Sequence, residues 1–398
     1  VEDEVKQASL FEGQRMTLED SIELTVQSLS AYGHDYRHWA IAFSGGKDST
    51  ATVTLVTHLM ESGRVAAPES LTVLYADTRQ ELPPLHIGAM TMLDSLEKRG
   101  IKTRVVLPKI EDRYFVYMFG RGVPPPNNNT LRWCTPQIKV EPMVNALKAL
   151  RDEHGEKFLM LTGVRVGESA VRDQRIALSC GRNGAECGQG WFQETTPENV
   201  ADTLAPLLHW RVCHVWDWLM FHASALGFNT SLVAEVYGGE EAEEMNARTG
   251  CIACPLAQND VALDYILRMP QWAYLQPLKQ LRPLYRDLRK FGNRLQKDGE
   301  RLKDGRLSSA PNRKGPLTME ARRYGLGVVL DVQARINALA LESDRPLIDL
   351  INADEHRRIL ELIEANTWPD RWDGTEPRGD MLIAQTLGEG IVQPVLLG

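Results

Sequence analysis

Nowhere in the 398 residues is there an apolar run of eighteen, the length a bilayer-crossing helix needs, so the sequence predicts no membrane span. The N-terminal Val1-Glu2-Asp3-Glu4-Val5-Lys6 lacks the apolar stretch of a signal peptide, and a cytoplasmic protein is expected. Cysteine is scarce. Six in a chain this long do not form a secreted disulfide framework, and such cysteines more often bind metal or do chemistry. No repeat recurs at a fixed period. Positive charge is not in excess: the net charge of −8 argues against a chain that coats nucleic acid alone. What is left is an ordinary globular composition, 43% hydrophobic and 25% charged. The length allows about two to three domains.

Four short apolar runs, at 39–43, 71–76, 102–107 and 158–162, read as buried strands. Helical spacing over 85–99 and 140–151 fills gaps between them. The alternation implies an α/β fold with a mainly parallel sheet and helices on both faces. Ligands then sit beyond the carboxyl ends of the strands. Residues 1–38 read as a helical extension, 39–230 as the core, and 231–398 as a mainly helical region. Two last helices are expected within 330–365, joined near Ser343-Asp344-Arg345-Pro346.

Between the first strand and the next helix lies Ser44-Gly45-Gly46-Lys47-Asp48-Ser49. A glycine pair lets the backbone bend tightly and approach a ligand, and a helix start offers unpaired N–H groups to an anion. Lys47 adds charge, Ser44 and Ser49 add hydroxyls. This is a phosphate-binding loop without the Walker spacing. Asp77, directly after the second strand, suits a ribose, a magnesium ion or an adenine-side contact, or is simply a turn cap. In Gly163-Val164-Arg165-Val166-Gly167-Glu168-Ser169-Ala170-Val171-Arg172, Arg165 and Arg172 share one face if the segment is helical. Arginines clamp phosphates bidentately, although charged helix faces are often only solvated.

The cysteines fall in three settings. Cys134 follows Leu131-Arg132-Trp133, after the irregular stretch 120–130. Cys180 and Cys187 lie in a Gly- and Asn-rich loop at 178–191, and Cys213 among apolar residues reads as a buried thiol. Gly250-Cys251-Ile252-Ala253-Cys254-Pro255 puts two thiols on one turn, suited to a metal centre or a redox disulfide. Residues 268–323 hold fifteen Lys or Arg against five Asp or Glu, about +10 within an acidic chain, with Trp272, Tyr274, Tyr285 and Phe291 interleaved. This is the candidate nucleic-acid or partner surface; a solvated helix face is the plainer reading.

The 44–49 loop resembles the PP-loop (SGGxDS) of the ATP pyrophosphatase superfamily, whose fold is Rossmann-like, of the adenine nucleotide α-hydrolase (HUP) type. Leu131-Arg132-Trp133-Cys134-Thr135-Pro136-Gln137-Ile138-Lys139-Val140-Glu141-Pro142 and the 163–172 stretch resemble signatures of its phosphoadenosine-phosphosulfate (PAPS) reductase branch. The three motifs cover about residues 39–220. Adding Cys251-x-x-Cys254, the chain looks most like the DNA phosphorothioation proteins of the DndC and SspD type. The resemblance implies ATP cleavage to AMP and pyrophosphate, with Mg²⁺ on the triphosphate, activating a DNA backbone oxygen for sulfur supplied by a cysteine desulfurase alongside other DNA-modification subunits. DNA would be met through that complex and the 268–323 segment.

On that resemblance Lys47, Asp48, Arg172 and Cys180 are the expected catalytic residues. Ser44, Gly45, Gly46, Lys47, Asp48, Ser49, Asp77, Gly163 and Arg165 are the nucleotide contacts. Cys134, Cys187, Cys251 and Cys254 are the ligands of a 4Fe–4S cluster, with zinc as the alternative. Trp133 stands where iron–sulfur members of the branch carry a second cysteine, so the fourth ligand comes from elsewhere; Cys180 and Cys187 compete for that place or for a persulfide. The 380–398 stretch has no cysteine, which disfavours a sulfite-releasing reductase. A tRNA-thiolating or sulfonucleotide-handling enzyme and a non-catalytic metal-stabilised adaptor remain the alternatives.

Overall fold

The inner strands of the sheet form where apolar residues run without alternation, because both faces are covered there. In β1 (His38–Phe43), Trp39, Ala40, Ile41 and Phe43 are all buried. The computed structural model describes residues 16–127, 131–167, 174, 200–237, 251–302, 304–308, 312–381, 384–386 and 391–394. It divides into two compact units: 1–75 with 87–105 and 144–246, and 76–86 with 106–143 and 247–398.

The central sheet holds β1, β2 (Ser70–Ala76), β3 (Lys102–Val106), β4 (Phe158–Leu161) and β5 (Ala201–Leu204), in the order β3-β2-β1-β4-β5. β1 runs parallel to β2 and to β4, and β4 parallel to β5. This is a Rossmann-like α/β sheet. Its order reverses between β1 and β4, the switch point where such sheets open a crevice beyond their carboxyl ends. The helices are α1 (Leu18–Gly33), α2 (Lys47–Glu61), α3 (Pro83–Lys98) and α4 (Glu141–His154).

α2 is buried along most of its length despite four threonines in a row of alternate and near-alternate positions. Thr50, Thr52, Thr54 and Thr57 each donate back to a carbonyl four residues earlier, at 2.7–2.9 Å. Thr54 Oγ1 also accepts the Trp218 indole N–H at 2.9 Å. No hydroxyl among these four is left unpaired, so the helix is buried without the usual penalty for polar groups.

The second unit is mainly helical in its C-terminal part, with helices at Met319–Glu342 and Ala353–Glu364, as the sequence suggests. Its core holds Arg322, fully buried. The guanidinium donates to Phe119 O at 2.7 Å, to Thr367 O at 2.8 Å and to Gly120 O. Burial pushes its pKa down to about 10. Arg79 and Arg113 meet on buried Glu355 at 3.3 and 3.1 Å, and Glu355 also closes the capping box of its helix with Asn352. Among the described residues no helix is long and apolar enough to cross a membrane.

Candidate active site

The turn after β1 is made by Gly45, whose φ of +71° is a left-handed conformation that glycine adopts without strain. Gly46 is the N-cap of α2 and offers no side-chain cap, so the helix start keeps backbone N–H groups for a ligand. Ser49 Oγ ties the loop together: it accepts from Ser44 N–H at 3.2 Å and donates to Gly46 O at 3.0 Å. A Cβ on Gly46 would lie 3.3 Å from Tyr237 Oη. The Lys47 ammonium sits 5.3 Å from the Tyr237 ring centre.

The turn after β4 meets this loop. A Cβ on Gly163 would stand 2.7–2.8 Å from the backbone of Asp48 and Ser49, so only glycine lets the two turns touch. Arg165 Nε donates to Asp48 Oδ1 at 2.5 Å, and Lys47 Nζ to Asp48 Oδ2 at 2.7 Å. Burial raises the Asp48 carboxyl, but Lys47 and Arg165 together outweigh it and hold it below the usual carboxylate range. Arg165 is itself buried, and its Nη1 donates to Trp210 O at 3.1 Å. The Trp210 indole in turn donates to Ser21 O and Thr25 Oγ1 of α1, at 3.1 and 3.0 Å. A chain of bonds thus runs from α1 to the phosphate loop. Two cations share one carboxylate at a helix start that faces the switch point.

Residues 162–167 are irregular, and Arg165 is placed by Asp48 and Trp210. Arg172, Cys180 and Cys187 lie outside the described residues. Asp77 belongs to the other unit. Its Oδ1 accepts from Arg79 N–H at 2.8 Å, across a turn in which Arg79 has φ +61°, the cap reading of this residue. Cys213 is only half-buried, on the short helix Val212–Asp217, rather than sealed in the core. Trp210 and Tyr237 were not singled out as site residues; aromatic residues after a strand carry no pattern that separates packing from support of a loop.

The second unit gathers three of the cysteines. In the Cys251–Cys254 turn, Cys254 N–H donates to Cys251 O at 3.1 Å and buried Ala253 adopts φ +50°. Ile252 N–H donates to Gln80 O at 2.7 Å, pinning the turn. Burial pushes the Cys251 thiol well up, and Glu81, Cys254 and Cys134 add to it. Burial raises Cys134 as well, with Cys254 contributing. Cys251 and Cys134 thus both lie within range of Cys254. As donors they suit a soft metal in kind. Among the described residues no three His, Cys, Asp or Glu side chains already form a metal-holding group, and Cys187 lies outside those residues.

Residues 38–226 match the family model of the phosphoadenosine phosphosulfate reductase domain. That span holds the sheet from β1 to β5, the phosphate loop, Gly163 and Arg165. No curated protein matches the chain. Among solved structures it is similar to phosphoadenylyl-sulfate reductase from Candida auris in a phosphate complex, at 12% identity, covering 54% of this chain and 93% of that one, TM-score 0.32. It is similar to the U34-tRNA thiolase NcsA from Methanococcus maripaludis with its 4Fe–4S cluster, at 12% identity, 68% and 76% coverage, TM-score 0.35. A third is the FMN adenylyltransferase of Candida glabrata with FMN and the ATP analogue AMPCPP, at 14% identity, 51% and 56% coverage, TM-score 0.29.

Proposed function

We propose that the chain is an ATP pyrophosphatase that adenylylates a nucleic-acid backbone for sulfur incorporation, in DNA phosphorothioation with a cysteine desulfurase. The observation that carries the nucleotide half is the pair of cations, Lys47 and Arg165, held on Asp48 at a helix N-terminus on the switch point. ATP enters as its magnesium complex, and its phosphates replace Asp48 as partner of Lys47. An acceptor oxygen attacks the α-phosphorus, the α–β bridging bond breaks, and pyrophosphate leaves against the loop N–H groups and the cations. A sulfide-level sulfur nucleophile then forms the P–S bond on the activated backbone phosphorus as its bond to the AMP oxygen breaks; where the donor is a persulfide, a second thiol cleaves the S–S bond and takes the inner sulfur as a disulfide.

The sulfur half rests on Cys134, Cys251 and Cys254, which would hold a 4Fe–4S cluster with Cys187. When bound, such a centre supplies a soft site for sulfur. The chain's own part is to hold Cys251 and Cys254 on the turn pinned by Gln80 O, with half-buried Cys134 near them. Arg172 and Cys180 keep their proposed roles as phosphate clamp and persulfide carrier. The exposed cations of the basic segment, among them Arg268, Arg286, Lys290, Arg313 and Arg323, are proposed to meet DNA or a partner subunit.

The test is incubation of the anaerobically purified chain with ATP, magnesium, a cysteine desulfurase, cysteine, and either plasmid DNA or tRNA. Digestion and mass spectrometry read the product. Phosphorothioate dinucleotides from the DNA arm are expected. A thiolated tRNA base with unmodified DNA would transfer the function to tRNA thiolation, and AMP formation without sulfur in either arm would leave the pyrophosphatase alone standing.

A further inference from the structure

Tyr237 closes the short helix Ser231–Tyr237, which the first unit fixes in place by two contacts. Thr230, just before the helix, donates its hydroxyl to Leu219 O at 2.7 Å. Leu232 packs on α3 at Gly88, where an added Cβ would stand 3.3 Å from the Leu232 Cβ. The last turn is buried, with Val236 at 1% and Tyr237 at 6% exposure. The Tyr237 ring meets buried Trp216 edge to face at 5.4 Å, with 64° between the ring planes.

Both the hydroxyl and the ring of this side chain reach the phosphate loop. A Cβ on Gly46 would lie 3.3 Å from Tyr237 Oη and 3.6 Å from Ser44 Oγ, so two hydroxyls converge on the residue that caps α2. The Lys47 ammonium is 5.3 Å from the Tyr237 ring centre, within cation–π range. The same ammonium donates to Asp48 Oδ2 at 2.7 Å. Its two neighbours differ in kind. A carboxylate neutralises the charge and competes with an incoming phosphate. An aromatic ring attracts the cation through its quadrupole and leaves the charge intact. An anion arriving at the loop therefore displaces Asp48 from Lys47 without displacing Tyr237.

We propose that Tyr237 is a further nucleotide-binding residue of this site. Its hydroxyl donates to a phosphate oxygen held at the start of α2, and its ring keeps the Lys47 ammonium at the loop as that ammonium passes from Asp48 to the phosphates. The inference rests on the reading of the loop as an ATP site. A phenol suits the place on both counts: its hydroxyl is a donor in a buried setting, where a bond to a charged oxygen is strong, and its ring is held rigidly by Trp216. The two parts can be separated. Phenylalanine keeps the ring and loses the donor, whereas leucine loses both.

The test uses the full chain with Tyr237→Phe and Tyr237→Leu and takes two readings. One is calorimetric binding of α,β-methylene-ATP with magnesium; the other is AMP and pyrophosphate formed from ATP with nucleic acid present. Tyr237→Phe should weaken analogue binding and raise KM for ATP by about tenfold, the worth of a hydrogen bond to a charged oxygen. Its kcat should stay within about twofold, because the bond is made in ground and transition states alike. Tyr237→Leu should weaken analogue binding by about threefold more, the worth of a cation–π contact. In a Lys47→Ala chain the two Tyr237 variants should bind the analogue equally, since the ring has no ammonium left to hold. Wild-type affinity and KM in Tyr237→Phe would overturn the proposal. A difference between the two variants that persists in the Lys47→Ala chain would overturn the ring's part and leave it as packing on Trp216. A wild type that binds the analogue more tightly than Tyr237→Phe but forms no pyrophosphate would keep the Tyr237 contact and overturn the pyrophosphatase reading alone. No analogue binding by the wild type would overturn both.

Discussion

The surroundings of the phosphate loop and of the thiols pair their buried polar groups differently. Around the loop the charged groups are partnered: Asp48 holds two cations, Arg165 reaches Trp210, and Trp210 reaches α1, although the Thr162 hydroxyl has no partner among the described residues. Around the thiols the Arg289 Nε–H has no partner among the described residues, and the Tyr114 and Tyr285 hydroxyls have none beyond each other. A satisfied network rigidifies its site, whereas an unsatisfied group costs stability. The loop is thus preorganised, with Asp48 standing where phosphate would attract the same cations. Removing a polar group should therefore cost more at the loop than beside the thiols.

The largest effect is expected for Arg165→Ala. It leaves the Asp48 carboxylate, 14% exposed, with only Lys47 as partner, and strips the donor from Trp210 O. Removing one member of a buried pair typically costs about 3–5 kcal/mol, to be read from urea unfolding. No loss would mean the network is not formed in solution. Next comes Arg322→Met in the second unit, a guanidinium whose bonds to three carbonyls are all made. It should cost about 3 kcal/mol by the same measurement, because hydrogen bonds from a charged donor are worth more than neutral ones. The contrast with Arg289, in the same unit and unsatisfied, makes it the internal control.

Of the three substitutions, Tyr285→Phe should change stability least. The hydroxyl it deletes has at most the neighbouring Tyr114 hydroxyl as partner, so a change of less than about 1 kcal/mol is expected by the same measurement. A loss as large as that of Arg165→Ala would erase the difference between the two places. The smallest effect is in the pH dependence. The Asp48 carboxyl titrates lower in the folded chain than its ordinary value of 3.8. Its contribution is therefore complete above that value and is lost as the pH falls through the lower folded one. Compared with Asp48→Asn, the wild type should lose more stability as the pH falls below 3.8; parallel curves would place the carboxylate outside the ion pairs.

Much of this was legible in the sequence, for identifiable reasons. β1, β2 and β4 are short, largely apolar runs, as a sheet covered on both faces requires, whereas β3 carries Lys102, Thr103 and Arg104 and is mostly exposed at the sheet edge; all four fall within two residues of their expected places. β5 was missed: Ala201-Asp202-Thr203-Leu204 is short, and its two middle residues are polar and only half-buried. The phosphate loop was readable because glycines and hydroxyls act locally, within six residues. The Asp48–Arg165 pair was not readable, because its partners are 117 residues apart and the arginine sits in an irregular turn that no local pattern announces. In the basic segment, charge alone did not separate exposed Arg286 from buried Arg322, whose guanidinium serves the core. The phenols of Tyr114 and Tyr285 had no motif at all; only burial reveals that they lack partners beyond each other.

The central claim is that the loop at 44–49 binds ATP and releases pyrophosphate. The direct measurement is AMP and pyrophosphate formed from ATP by the magnesium-supplied full chain, with nucleic acid present, in wild type and Asp48→Ala. Equal amounts of AMP and pyrophosphate from the wild type, falling about a hundredfold or more in the variant, is the predicted result. No ATP-dependent pyrophosphate from the wild type, or formation that is the same in both, would contradict it.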